Sequence, residues 1–145
     1  MLNRLHALSK NILTNFQSLA LLLARFAVAY GFYEPAMMKW KDIDSVAQWF
    51  GSMGIPIPTF NAYMATSTEV LGVILLTLGL LTRLISLPLM VIMVVAIATV
   101  HLAHGFLAGD NGFEIPLYYM LFLFIFASHG AGKFSLDYYL FEKEK

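Results

Sequence analysis

Cysteine is absent from the 145-residue chain, which excludes disulfide exchange, thiol catalysis, iron–sulfur ligation through cysteine and cysteine-based zinc sites within it. Charge is scarce as well. Charged residues make up 12% of the sequence, where a soluble domain carries about 25%. Nine basic residues cancel nine acidic ones. With no basic stripe of the kind a phosphate backbone demands, nucleic acid is not an expected partner. A small-residue cleavage site is also missing near the start, where Arg4 and Lys10 are interleaved with Leu2, Leu5, Leu8, Ile12 and Leu13. Residues 1–17 therefore read as an amphipathic cytoplasmic lead-in rather than a secretory signal.

What the sequence has in abundance is apolar surface: 59% of residues are hydrophobic and the mean hydropathy is +0.73, a membrane composition. A bilayer core takes about 20 apolar residues in a helix, and four segments qualify, at 18–39, 61–82, 84–105 and 114–131. The expected fold is all-α, a polytopic four-helix bundle in the lipid bilayer forming a single domain over 1–145. Arg83 alone separates the second and third spans, which predicts a tight antiparallel hairpin. Residues 41–60 have room for a short interfacial helix at about 44–53. Asp42 or Asp44 can cap its start, Gly51 or Gly54 can end it, and Ile43, Val46, Ala47, Trp49 and Phe50 give it an apolar side. Arg4, Lys10, Arg83, Lys133, Lys143 and Lys145 collect on one side and only Lys39 and Lys41 on the other. The positive-inside rule then puts both termini in the cytoplasm.

Ionisable groups inside spans cost about 3 kcal/mol at the bilayer centre and normally face a partner or a cavity. At about 1.5 Å per residue, Glu34, Glu69, His101 and His104 all fall in the outer half, whereas Arg25 lies deepest. His101 and His104, three apart, are expected to share a helix face. Glu69 shares its face with Ala62, Ala65, Thr66 and Gly72, small residues that permit close helix approach. Arg25 and Glu34 point to opposite sides of a regular helix, so Glu69 is the better partner for Arg25. Pro35 removes the hydrogen bond to the Gly31 carbonyl and disfavours α geometry at Glu34, which predicts that this stretch forms the wall of a polar pocket. A straight helix through Glu34 would count against it.

Two chemistries suit such a set. A nitrogen/oxygen metal site is one, but no metal-ligand spacing such as HExxH is present, and no metal is expected. The other is quinone binding, in which histidine and carboxylate groups bond the ring oxygens and relay protons. On this reading Glu69, His101 and Arg25 carry the chemistry; Glu34, His104, Tyr30 and Tyr118 bind the quinone, with Tyr33 and Phe113 at the mouth; and Lys39 and Glu114 receive the substrate. The alternative is a non-catalytic membrane subunit, or a carrier of small solutes or protons, in which the same charges clamp helices together. His129 reads as a residue meeting a helix dipole.

The stretches LLLARFAVAYGF, MMKW, GIPIPTF, TEVLGVILLTLGLLTR, TVHLAHGF, the GFE before the last span and HGAGKFSLDYYL together resemble the DoxX family. The resemblance runs from about Leu19 to Leu140. It implies a four-helix protein of the bacterial cytoplasmic membrane related to a subunit of a thiosulfate:quinone oxidoreductase, with a redox partner subunit, homo-oligomerisation and no covalent cofactor. By motif position it carries over Arg25, Lys39, Glu69, His101 and Glu114. It also implies an anionic substrate such as thiosulfate, attracted by Lys39. Relatives commonly have glycine in the turn before that lysine, where this chain has Pro35-Ala36.

Overall fold

Apolar residues in long runs leave the backbone no stable choice in lipid but a helix that satisfies its own hydrogen bonds. The computed structural model describes residues 13–14 and 16–143, and its regular structure there is entirely helical. The predicted lead-in falls largely outside the described residues. Five α-helices follow: α1 (Gln17–Lys41), α2 (Ile43–Ser52), α3 (Pro58–Leu78), α4 (Thr82–Ala96) and α5 (Glu114–His129). A π-helical segment, Ile97–His101, and a 3₁₀ turn, Leu102–His104, prolong α4, and a second π-helical turn, Tyr138–Glu142, lies near the C-terminal end.

Local sequence sets most of these boundaries. Asp42 accepts the Ser45 amide at 3.2 Å and the Ser45 hydroxyl at 2.7 Å, which starts α2. Pro58 opens α3, where its missing N–H costs nothing. Gly79 ends α3 in the left-handed conformation at φ 66°, donating to Leu76 O while Leu80 N donates to Leu75 O. Only glycine fits there twice over, because a Cβ would also collide with the Arg25 guanidinium.

α1 packs on α3, α3 on α4 and α4 on α5, α5 returns to touch α1, and α2 lies across α3. The buried core holds Leu21, Val28, Ala29, Phe32, Leu76, Ile85, Leu89, Met93, Leu123 and Phe126. Small residues bring the helices close: Ala29, Ala36 and Ala62 are buried, and a Cβ on Gly31 would overlap the Tyr119 hydroxyl of α5. Facing outward are Leu19, Leu23, Phe26, Leu84, Leu87 and Phe124, an apolar surface of the kind that meets lipid or a partner. Two helices, Pro58–Leu78 and Thr82–His104, are long and apolar enough to cross a membrane; α1 carries more charge and α5 is shorter.

The short link between α3 and α4 is held from far along the chain. Leu81 is left-handed at φ 49°, a conformation that costs a non-glycine residue about 1 kcal/mol or more. Asp137 stabilises it, its two carboxylate oxygens accepting Leu81 N at 2.7 Å and Thr82 N at 2.9 Å while its own amide donates to Gly79 O. The GLLTR and GKFSLD stretches are thus one structural unit.

Candidate functional site

α3 and α4 are pressed together near their turn, where a Cβ on Gly72 would come within 2.8 Å of Leu89. Toward the α2 end a cavity of about 710 Å³ lies between them, inside the size range of small-molecule sites. Its walls follow helical spacing. Asn61, Ala65, Thr68 and Glu69 face it from α3, and Pro88, Val91, Val95 and Thr99 from α4 and its π-helical extension. Trp49 and Phe50 of α2, with Met53 and Ile55 after it, close the end. Pro88 lacks the N–H that would bond the Leu84 carbonyl, so α4 is one rung weaker beside the cavity.

The polar groups in this apolar chamber are few and specific. Lys39 Nζ donates to Glu69 Oε1 at 2.6 Å, tying the end of α1 to α3. The Glu69 side chain is 2% exposed and that of Lys39 26%, and both residues line the cavity. Glu69 Oε2 and Thr66 Oγ1, one turn apart on α3, are buried without a hydrogen-bond partner. At the far side His101 Nδ1 lies 2.8 Å from the carbonyl of Asn111. A carbonyl only accepts, so Nδ1 carries the hydrogen and Nε2 is the acceptor of the neutral ring. Each Cα–Cβ bond leans toward the start of its own helix, and because α3 and α4 are antiparallel, Glu69 and His101 lean toward one another. Over the roof, the two bonds from Ser45, the hydroxyl's first and the amide's second, hold the Asp42 carboxyl below the usual carboxylate range.

The structure redistributes several residues singled out from the sequence. Arg25 does not pair with Glu69. It is fully buried and donates from Nη1 to Leu76 O at 2.7 Å and from Nη2 to Phe134 O at 2.6 Å. The reason is direction: a long side chain on α1 leans toward the helix start, away from Glu69 and onto the carbonyls at the end of α3. Lys39, a full helix half nearer the α2 end, takes the carboxylate instead. α1 runs unbroken through Pro35, and Glu34 is exposed on its outside rather than in a pocket wall. Tyr30, 82% exposed, does not line the cavity, nor do Tyr33, Phe113, Tyr118 or His104.

His101 and His104 diverge because the first sits in a π-helical segment and the second in a 3₁₀ turn, which breaks the constant 100° step that would align them. His104 Nδ1 turns back to Val100 O at 3.0 Å. Glu114 staples its own loop, accepting the Ala108 amide at 3.0 Å and the Tyr118 hydroxyl at 3.1 Å. Of the nine predicted site residues, the cavity brings together three: Lys39, Glu69 and His101. Sequence reasoning missed the contribution of α2 and α4. The apolar side of α2 and a proline inside an apolar span were the signals that could have found it.

A protein of Haemophilus influenzae (strain ATCC 51907 / DSM 11121 / KW20 / Rd) named "Uncharacterized protein" is 34% identical over 126 residues, 81% of each chain. A second one from the same organism is 33% identical over 137 residues, 92% of this chain and 99% of its own. The Bacillus subtilis (strain 168) protein named "Putative oxidoreductase CatD" is 30% identical over 124 residues, covering 86% of this chain and 89% of its own. No solved structure matches. The DoxX family model matches residues 20–102, a span that contains Arg25, Lys39, Glu69 and His101; the chain belongs to the DoxX family.

Proposed function

We propose that the protein is a four-span subunit of the bacterial inner membrane, both termini cytoplasmic, that binds a membrane quinone in the cavity between α3 and α4 and serves a redox reaction of the thiosulfate:quinone oxidoreductase type beside a partner subunit. The observation that carries this reading is one apolar cavity of about 710 Å³ holding the Lys39–Glu69 pair and His101. Apolar walls suit a ring and its tail, and Lys39 can donate to a ring oxygen. The name of the Bacillus subtilis relative, "Putative oxidoreductase CatD", agrees with redox work. α1 and α5 complete the bundle: α5 carries no charged residue between Glu114 and His129, and the charges of α1 are buried, paired or near its ends except Glu34. Lys39 is engaged by Glu69, so an anion such as thiosulfate would have to share the ammonium with that carboxylate.

The test uses purified protein in lipid nanodiscs titrated with decylubiquinone. Trp49 lines the cavity, so binding should quench tryptophan fluorescence, and quenching should be lost in Glu69→Gln. Absence of saturable quenching and of any quinone-linked turnover with thiosulfate would sink the reading.

A second reading has an observation of its own. The Lys39–Glu69 pair also joins α1 to α3, as a clamp in a non-catalytic subunit or a small-solute or proton carrier would. If Glu69→Gln and His101→Ala lower thermal stability in detergent and no ligand signal exists in the native protein, the clamp reading replaces the first.

A further inference from the structure

We infer that His101 is a specificity-determining residue of the cavity: it selects the hydroxyl-bearing, reduced form of the ring over the dicarbonyl form. The inference rests on the quinone reading above and adds which redox form the pocket is shaped to hold.

The argument starts from hydrogen-bond polarity at the two anchors. Lys39 has three N–H groups and no lone pair; one is given to Glu69 Oε1, and the others can only donate. A quinone carbonyl oxygen and a quinol hydroxyl oxygen both accept, so Lys39 takes either form. His101 is different. Its Nδ1 is committed as a donor to the Asn111 carbonyl at 2.8 Å, and His101 lines the cavity. The nitrogen left for a ligand is Nε2, a lone pair in the neutral ring. A quinol offers it an O–H. A quinone offers another lone pair, which repels it and leaves Nε2 without a partner once the ring excludes water.

The loop that fixes this polarity is itself well determined. Phe113 N donates to Gly105 O at 3.0 Å, Glu114 N to Phe106 O at 3.0 Å and Gly112 N to Leu107 O at 2.9 Å. Asn111 sits in the left-handed region at φ 61°, which aims its carbonyl at the imidazole. A Cβ on Gly112 would strike the Gly105 carbonyl, so the loop closes only with glycine there. The π-helical segment at Ile97–His101 brings His101 onto the cavity side of α4 and sends His104 elsewhere. Loop and segment together turn a generic histidine into a fixed acceptor.

The experiment measures equilibrium binding of decylubiquinol and decylubiquinone, separately and under anaerobic, mildly alkaline conditions, to the full chain in nanodiscs. One hydrogen bond gained rather than lost is worth about tenfold in affinity, so the quinol should bind about ten times more tightly. His101→Ala should remove that preference by weakening quinol binding about tenfold. His101→Gln, whose amide both donates and accepts, should bind both forms with equal affinity, which a purely structural role for the histidine would not produce, and it serves as the comparison if the alanine variant does not fold. Lys39→Met should weaken both forms alike and keep their ratio. Equal binding of the two forms by the native protein, or a preference that survives in His101→Gln, overturns the inference while leaving the quinone reading standing. Binding of neither form overturns both readings.

Discussion

Arg25, Arg83 and Asp137, at the turn end of the helices, each bond backbone groups, whereas Lys39 and Glu69, at the α2 end, bond each other beside a cavity. Arg25 reaches Leu76 O and Phe134 O, Arg83 reaches Ala127 O and Ser128 O, and Asp137 holds the amides of Leu81 and Thr82. Charge of the matching sign thus meets helix ends, cations on the carbonyls that close α3 and α5 and an anion on the amides that open α4. The cavity beside Arg83 and Asp137 is about 190 Å³, against about 710 Å³ at the other end. At the α2 end the pair is nearly neutral as a unit, the surroundings are apolar and His101 keeps a free lone pair, so a ligand finds both space and polarity. One end is built as a fastening and the other as a receptacle, although both draw on the same few charged residues of a chain that is poor in them.

That contrast can be broken most severely at Arg25. Arg25→Ala strips one buried and one part-buried charge-assisted hydrogen bond and is expected to cost about 3 to 5 kcal/mol, read as a fall in thermal stability in detergent, with quinone affinity per folded molecule unchanged. A fall in affinity without loss of stability would show that the two ends are not separate.

Gly79→Ala comes next, at about 1 to 3 kcal/mol, because alanine is strained at φ 66° and its Cβ meets the Arg25 guanidinium. Combined with Arg25→Ala the loss should be less than additive, which a double-mutant cycle measures. Glu69→Gln is expected to cost about 1 to 3 kcal/mol, less than Arg25→Ala since Lys39 is partly exposed and can turn to water or lipid headgroups. Its larger effect should be on ligand binding, the reverse of the Arg25 pattern.

The smallest effect is a pH dependence at the roof. Asp42 titrates lower in the folded chain than its ordinary value of about 3.9, so the unfolded chain takes up the proton first as pH falls. The cap on α2 therefore contributes its full stability above that ordinary value and loses it as pH drops through the folded one. Asp42→Asn should flatten this dependence in a thermal-stability series across the acid range, while Asp137→Asn, at the other end, should lower stability at neutral pH.

Much of the frame was legible before any coordinates. The spans at 61–82 and 84–105 correspond to α3 and to α4 with its extension, the interfacial segment at 44–53 to α2, and the cap at Asp42 and stop at Gly79 sit where their residue types require. These are local decisions, taken within a turn or two of helix. The tight hairpin at Arg83 was legible too, but not its support, because Asp137 lies 56 residues from Leu81 and nothing in local pattern announces that distance.

The candidate site was half legible. Glu69 and His101 stood out because ionisable groups are costly in apolar spans, and their convergence with Lys39 follows. Glu34, His104 and Glu114 stood out for the same reason, and Tyr30 and Tyr118 as aromatics suited to a ring, but none of the five lines the cavity, since depth along a helix was readable and direction around it was not. The sequence by itself determined an all-helical chain, its apolar faces, its breaks and the short inventory of groups able to do chemistry. Tertiary structure alone decided that Lys39 rather than Arg25 meets Glu69, that α2 closes the cavity and that the Asn111 carbonyl fixes the His101 ring. Helix formation is set by neighbours a few residues apart, whereas pairing depends on how separate helices lean and rotate against each other.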